Sequence, residues 1–382
     1  MKTLSQICEI VSNKLSVNEL INANLTSNYI STENMLPNKG GVVAPSSVPT
    51  TGKVTAYKTG DVLVSNIRPY FKKIWFASND GGCSNDVLVF RAKKDVSAEY
   101  LHYVLADDSF FDYAMKTSKG TKMPRGDKKA LMEYGIVEMD YFSQCQAATI
   151  LKRIDNLIKT NTKINENLFE QLLALYKQML IDSKIVKKLN LAELCDFQEG
   201  YVNPAQTHPE YFDGEVKWLR AVDINESFII NTSRTLTKTG FESAKKSALL
   251  FEPNTIVISK SGTIGRLGII ADYMCGNRAV INIRPKSKEH LPLIYCYLKS
   301  KQSEFDDLAV GSVQKNLYTS LLEPLIIPCP SDNEVVVFCS TANVMFSRIK
   351  NNCIENNNLI ALRDTLLPKL MSGEIDVSEV KI

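Results

Sequence analysis

Four stretches of the chain gather side chains suited to one kind of chemistry. Ser65-Asn66-Ile67-Arg68-Pro69-Tyr70-Phe71-Lys72-Lys73 follows the β-branched run Val62–Val64 directly, and Lys116 to Lys129 packs six basic residues into fourteen, including Lys119, Lys122 and Arg125, with Thr121 after Gly120. Ser259-Lys260-Ser261-Gly262-Thr263-Ile264-Gly265-Arg266 follows Ile256–Ile258 in the same way, and Gly311-Ser312-Val313-Gln314-Lys315-Asn316 lies further on. Lys and Arg reach phosphate oxygens, Arg, Asn, Gln, Ser and Thr reach base edges, and Gly lets a backbone come close. Lys72, Lys73, Lys119, Lys122, Arg266 and Lys315 are expected to position a duplex through its phosphates. Asn66, Arg68, Arg125, Ser261, Thr263, Arg278, Gln314 and Asn316 are expected at base edges, with Ser65, Thr121, Lys260 and Ser312 completing the set. Any one of these loops, taken singly, reads better as a solvated turn than as a binding site. Their recurrence at matched places carries the argument.

Other chemistries find little support. His102, His208 and His290 each stand alone, without Cys or carboxylate at metal-ligand spacing. There is no G-x-S-x-G elbow and no G-x-x-x-x-G-K-[ST] phosphate loop. Gly262-Thr-Ile-Gly265-Arg-Leu-Gly268 lacks the Lys and Ser/Thr that would hold phosphate and magnesium, and Asn203-Pro204-Ala205 fails the third position of an amino-methyltransferase motif. Glu215-Val-Lys217 near Asp213 is a nuclease-like pair too short to set apart from chance. The nine Cys are odd in number and none forms C-x-x-C, which suits small core residues in a reducing cytoplasm. No run approaches the roughly 18 apolar residues of a membrane helix. The formal charge of +3, from 45 basic and 42 acidic residues, leaves any anion-binding surface to local patches.

The elements that must position these loops occur twice, offset by about 190 residues. Leu4-Ser-Gln-Ile-Cys8 matches Leu191-Ala-Glu-Leu-Cys195, and Asp61-Val-Leu-Val-Ser65 matches Thr255-Ile-Val-Ile-Ser259. Cys83-Ser-Asn85 matches Cys275-Gly-Asn277, and Leu101–Leu105 matches Ile294–Leu298. Val62–Val64, Val87–Phe90, Ile256–Ile258 and Ala279–Ile283 read as strands, and the segments around Tyr100–Leu105 and Leu293–Leu298 as helices. Tyr29 to Gly60 and Asn203 to Phe251 read as long loops rich in turn residues.

Each repeat ends in a long helical segment. Residues 144–182 contain neither Pro nor Gly, and Ile150, Ile154, Leu157, Asn161, Ile164, Leu168 and Leu175 alternate by fours and threes as a heptad seam does. Met345, Ile349, Asn352, Asn356, Leu359, Leu366 and Leu370 repeat that spacing. Asn161 and Asn352 hold equivalent slots, where a buried Asn sets register and an outward one only meets water. The expected fold is two α/β (α+β) units in tandem, each followed by a helix of about 50–60 Å, the helices pairing as an antiparallel coiled coil with a pseudo-twofold axis. The expected division is 1–143, a central helix 144–184, 185–331, a C-terminal helix 332–373 and a tail 374–382.

In this order of parts the chain resembles the specificity subunit of type I restriction–modification systems. The likeness rests on the duplicated strand–loop pairs, on Gly311-Ser312 followed by Leu325-Ile-Ile-Pro328, and on the ending Leu366-Leu-Pro-Lys-Leu-Met-Ser-Gly-Glu-Ile375. Arg68-Pro69 departs from the Ser-x-x-Gly-x-x-Gly loop of the second repeat. The resemblance implies a non-catalytic reader of double-stranded DNA, in which each target-recognition unit takes one half of a bipartite site. It implies helices that dock two methylation subunits, and restriction subunits that join them. S-adenosylmethionine, ATP and magnesium would belong to those partners, with no cofactor in this chain. The alternatives are a recognition subunit whose partner both cuts and methylates, an unrecognised enzyme, and a coiled-coil scaffold that binds no DNA.

Overall fold

The computed structural model describes residues 1–120, 122–311 and 314–377, and the chain divides into two compact units. Unit 1 comprises Met1–Asn156 and Leu359–Ile382, and unit 2 comprises Leu157–Asn358. Thr121 and Ser312 lie outside the described residues.

Unit 1 is built on an antiparallel sheet of β1 (Cys8–Ile10), β2 (Val62–Ser65), β3 (Ile74–Phe76) and β4 (Val87–Ala92), in the order β1-β4-β2-β3. All four residues of β2 are buried, as a central strand covered on both faces requires. Helices α1 (Ala98–Ala106) and α2 (Asp108–Lys116) cover one face. Ser97 caps α1 by accepting from the Tyr100 amide, and Asp107 caps α2 by accepting from Ser109. A second small sheet joins Lys14–Ser16, Lys53–Tyr57, Gly81–Cys83 and Tyr29–Ile30.

Unit 2 repeats the plan. Strands β5 (Cys195–Glu199), β6 (Phe228–Ile229), β7 (Ile256–Ser259), β8 (Leu267–Ile270) and β9 (Val280–Pro285) lie in the order β5-β9-β7-β8-β6, so β5-β9-β7-β8 reproduces β1-β4-β2-β3. Helix α4 (Leu291–Ser300) takes the place of α1. The second sheet contains Thr235–Leu236, Phe212–Leu219, Met274–Gly276 and Leu250–Phe251. The two regions expected as long loops therefore carry strands. Most of their strands are short, and they become regular by pairing with distant segments: Tyr29–Ile30 and Lys53–Tyr57 with Gly81–Cys83, Phe212–Leu219 and Leu250–Phe251 with Met274–Gly276, and Phe228–Ile229 with Leu267–Ile270, so no local period marks them.

The long helices are α3 (Tyr141–Asp182) and α5 (Asp332–Met371). Each gives one segment to each unit. In unit 1, Ala147, Ala148 and Leu151 of α3 and Leu367 and Leu370 of α5 join the core around Val62, Leu88 and Phe90. In unit 2, Leu172 and Tyr176 of α3 and Val335, Phe338, Ala342 and Phe346 of α5 join the core around Ile256, Ile281 and Ile283. Within unit 2 the two helices run antiparallel: Asn161 meets Asn356, Asn165 meets Asn352, Phe169 meets Phe346 and Tyr176 meets Phe338.

The buried stripe departs from the expected heptad. Ile154, Asn161, Ile349 and Asn352 are buried, and Ile164, Leu168, Met345, Leu359 and Leu366 are half-buried. Leu157 and Leu175, expected in the seam, are instead 51% and 43% exposed. The stripe passes through Leu151, Ile154, Asn161, Asn165, Leu172 and Tyr176. An α-helix advances 3.6 residues per turn, and a segment packed on a sheet as well as on its partner buries a face that drifts off a strict 3.5 repeat. Leu157 and Leu175 lie on the far side of that drift.

Candidate nucleic-acid interface

The loop after the central strand is held by the same backbone scheme in both units. In unit 1, Ser65 N–H donates to Lys73 O (3.0 Å), Asn66 N–H to Asp86 O (2.8 Å) and Gly126 N–H to Asn66 O (3.2 Å). In unit 2, Ser259 N–H donates to Arg266 O (2.9 Å), Lys260 N–H to Ala279 O (2.7 Å) and Leu317 N–H to Lys260 O (2.9 Å). The second loop is closed by a paired bridge, Lys119 with Arg125 in unit 1 and Val310 with Asn316 in unit 2. Two basic, polar stretches some fifty residues apart in sequence thus share one ridge in each unit. In unit 1, Arg68 N–H to Pro124 O (2.8 Å) ties them further.

The loop residues fall into those that build this ridge and those that it presents. Ser65, expected to touch a ligand, is buried, and its Oγ donates to Ile67 O (3.1 Å). Ser259 does the same toward Thr263 O. These hydroxyls close their loops because a buried O–H needs a partner, and the nearest carbonyl is local. Lys260, also expected to touch a ligand, is turned inward. Its side chain is only 13% exposed, and its ammonium sits 2.7 Å from Glu199 Oε2 and 4.6 Å over the Tyr318 ring. A buried charge needs a partner, and β5 supplies one.

Four of the remaining cations, Arg125, Lys119, Lys315 and Lys72, are held by carboxylates. Arg125 pairs with Asp86 (3.0 Å), Lys119 with Asp127 (2.5 Å) and Lys315 with Asp306 (3.0 Å). Lys72 and Lys39 share Asp108 at 2.8 and 2.9 Å. Burial raises the Asp108 carboxyl, but hydrogen bonds from Lys72 and Lys39 outweigh it and hold the group below its ordinary value. The hydrogen bond from Lys119, with the amides of Ala130 and Lys129, holds Asp127 low. Burial pushes the Lys73 ammonium down, and its Nζ donates to Thr32 O (2.6 Å). Exposed ion pairs are worth about 0–1 kcal/mol, so phosphates can exchange for these carboxylates at little cost. Lys122, Arg278, Gln314, Lys315 and Thr263 are exposed, while Ser261, Arg266 and Asn316 are half-buried.

Two polar atoms of this ridge are buried without a hydrogen-bond partner, Asn66 Oδ1 and Arg68 Nε. The structure adds residues that the sequence did not mark. Asp86, Asp108, Glu199 and Asp306 pair with the basic loops from outside them, and Asp127 pairs with Lys119 within its own loop. On the second sheet of unit 2, Arg234 lies 4.2 Å over Phe212 and 5.9 Å from Trp218, and Arg220 lies 5.5 Å from Trp218. A basic residue near one of the two Trp was the available signal, and only pairing of distant strands makes it a cluster. Lys217, weighed as a nuclease lysine, is paired with Asp272 (2.8 Å). Among the described residues no helix is long and apolar enough to cross a membrane.

Comparison with known proteins agrees with this duplicated design. The type I restriction modification DNA specificity domain matches twice, over residues 1–170 and 184–361. The type I restriction enzyme HindI specificity subunit of Haemophilus influenzae is 23% identical over 403 residues, covering 84% of this chain and 87% of its own. The MjaIX specificity subunit of Methanocaldococcus jannaschii is 26% identical over 311 residues, covering 75% of this chain and 71% of its own. In fold, the chain is similar to the crystal structure of the type I restriction-modification S subunit from M. genitalium, with a TM-score of 0.55, 18% identity and coverage of 97% and 95%. This chain belongs to the type I restriction–modification DNA specificity family and carries two copies of its domain in tandem.

Proposed function

We propose that the chain reads a bipartite DNA target for a type I restriction–modification complex, one half-site per unit. Residues 1–143 and 185–331 are the reading halves. The observation that carries this is the ridge built by the same hydrogen bonds in both units but lined by different side chains. Asn66, Arg68 and Arg125 line one; Ser261, Thr263, Gln314 and Asn316 line the other. A constant frame with variable tips is what two different half-sites need. Lys119, Lys122, Arg266 and Lys315 then supply phosphate contacts whose strength falls with salt.

On this reading the chain performs no chemistry itself. Two methylation subunits dock along the long helices and bring S-adenosylmethionine, and restriction subunits bring ATP and magnesium. The deciding experiment is a genome-wide methylation map of the host with and without the gene. Loss of one split motif, two short half-sites around a fixed gap, is the expected result. A map left unchanged although the complex is expressed and assembled would sink the proposal.

A further inference from the structure

The loop after β2 differs from its counterpart in one respect that the shared frame makes visible. Unit 2 turns this loop on two left-handed glycines, Gly262 (φ +77°) and Gly265 (φ +81°). A Cβ on Gly265 would come within 2.9 Å of the Phe305 side chain, so glycine is required there. The matched hydrogen bonds place Arg68 opposite Gly262 and Lys72 opposite Gly265. Both keep the left-handed conformation, at φ +50° and +49°, although neither is glycine. Non-glycine residues adopt that conformation at a cost and hold it where the surroundings over-determine it, commonly at functional sites. Here they do. Arg68 N–H reaches Pro124 O (2.8 Å), Lys72 N–H reaches Pro69 O (2.8 Å), Asn38 N–H reaches Phe71 O (2.8 Å) and Lys39 N–H reaches Lys72 O (2.9 Å).

Between the two hinges unit 1 carries the turn Pro69–Phe71, where unit 2 has Thr263-Ile264. Ile264 folds back onto the core of its unit. Pro69 is buried, but Tyr70 and Phe71 stand 47% and 37% exposed, their ring centroids 4.6 Å apart. Lys73 Nζ lies 5.8 Å from the Phe71 ring centroid, Arg68 and Lys72 flank the turn in sequence, and one carboxylate, Asp108, bridges Lys72 and Lys39. A rigid, exposed aromatic tip in a basic collar, beside the loop that bears Arg125, matches a charged polymer with stacked aromatic rings inside it.

We propose that Tyr70 and Phe71 form a wedge that enters the base stack of the half-site read by unit 1, unstacking one base step there, while unit 2 reads its half without a wedge. This rests on the DNA-reading function above. The left-handed hinges hold the wedge ready before DNA arrives, so its ordering adds no cost on binding.

The test uses the full chain in complex with its methylation partner. The probes are duplexes of the mapped target carrying 2-aminopurine singly at each step of both half-sites. Wild type is expected to raise the fluorescence of one step, in the half-site whose specificity Arg125→Ala relaxes. In the double variant Tyr70→Ala/Phe71→Ala that rise disappears and affinity for intact duplex falls about 10- to 100-fold. A duplex already lacking the base at that step should be bound by both proteins to within about twofold. The variant Tyr70→Phe/Phe71→Tyr keeps the rings and should behave as wild type. Sequence-specific binding with flat fluorescence in both halves, or alanine variants of unchanged affinity, would overturn the wedge alone. Failure of the wild-type complex to bind duplex at all would overturn the wedge and the reading function together.

Discussion

At the scale of single residues the charge on this molecule is arranged more by its acids than by its bases. Arg125 and Lys122 sit in the same loop, but Asp86 aims Arg125 along the ridge at 3.0 Å while Lys122 is exposed beside it. Arg125→Ala is therefore expected to remove about 1–3 kcal/mol of discrimination at one base position of one half-site. Lys122→Ala should weaken binding across all sequences and lower the salt slope by about 1. Affinities for single-base target variants at several salt concentrations check both. A second residue-scale expectation concerns His102. It is half-buried against Phe76 (5.6 Å) and Tyr103 (5.0 Å), and its Nδ1 is shut off from solvent without a partner. Burial lowers its imidazole to about 4, with Asp155 pulling upward and Arg363 downward. A base whose folded pKa lies below its unfolded value of about 6.5 binds its proton better when unfolded. Its contribution is whole above pH 6.5 and is lost as pH falls toward 4. Between pH 7 and 5 the unfolding free energy should drop by about 1–2 kcal/mol through this group. That drop should vanish in His102→Phe, as denaturant titrations at the two pH values would show.

At the scale of elements the informative feature is the polar step inside an otherwise apolar helix pair. Asn352 Nδ2 donates to Asn165 Oδ1 at 2.7 Å, with both residues buried, and Asn161 Nδ2 reaches Asn356 Oδ1 at 3.1 Å and Glu355 Oε2 at 3.0 Å. Paired amides at one level favour one register, since sliding either helix would bury unpartnered groups. Asn352→Leu alone should cost about 1–3 kcal/mol, because it leaves Asn165 Oδ1 buried without a donor. The double variant Asn165→Leu/Asn352→Leu should recover most of that loss. A double-mutant cycle by chemical denaturation measures the coupling, and additive losses would show that the pair sets nothing. Asn161 and Asn352 were legible as seam positions because they fell on heptad slots. Asn165 was not, because the slot the heptad assigns there is Ile164, and the one-residue drift comes from the sheet that α3 also covers.

At the scale of the whole molecule each long helix serves two cores. Leu151 and Leu172 are both fully buried on α3, one among unit 1 residues and the other among unit 2 residues. Either Leu→Ala substitution should cost about 2–5 kcal/mol. Hydrogen exchange should show Leu151→Ala loosening the strands around Val62 and Leu88, and Leu172→Ala those around Ile256 and Ile283. Equal loosening of both sets by one substitution would mean that the two cores unfold as one. By itself the sequence determined the duplication, the central strands, the paired basic loops and the two long helices. These features are local: period, propensity and composition act over ten to forty residues, and a repeat needs only comparison of the chain with itself. Tertiary structure alone decided which loop residues are presented. Ser65 and Lys260 turned inward because a carbonyl and Glu199 waited for them. Arg125 was aimed by Asp86, some forty residues earlier, and Arg68 and Lys72 were forced into glycine's conformation by contacts from Pro124 and Lys39. Apart from the local Ile67 carbonyl, those partners come from distant parts of the chain, and their energies exist only once strands far apart in sequence have paired.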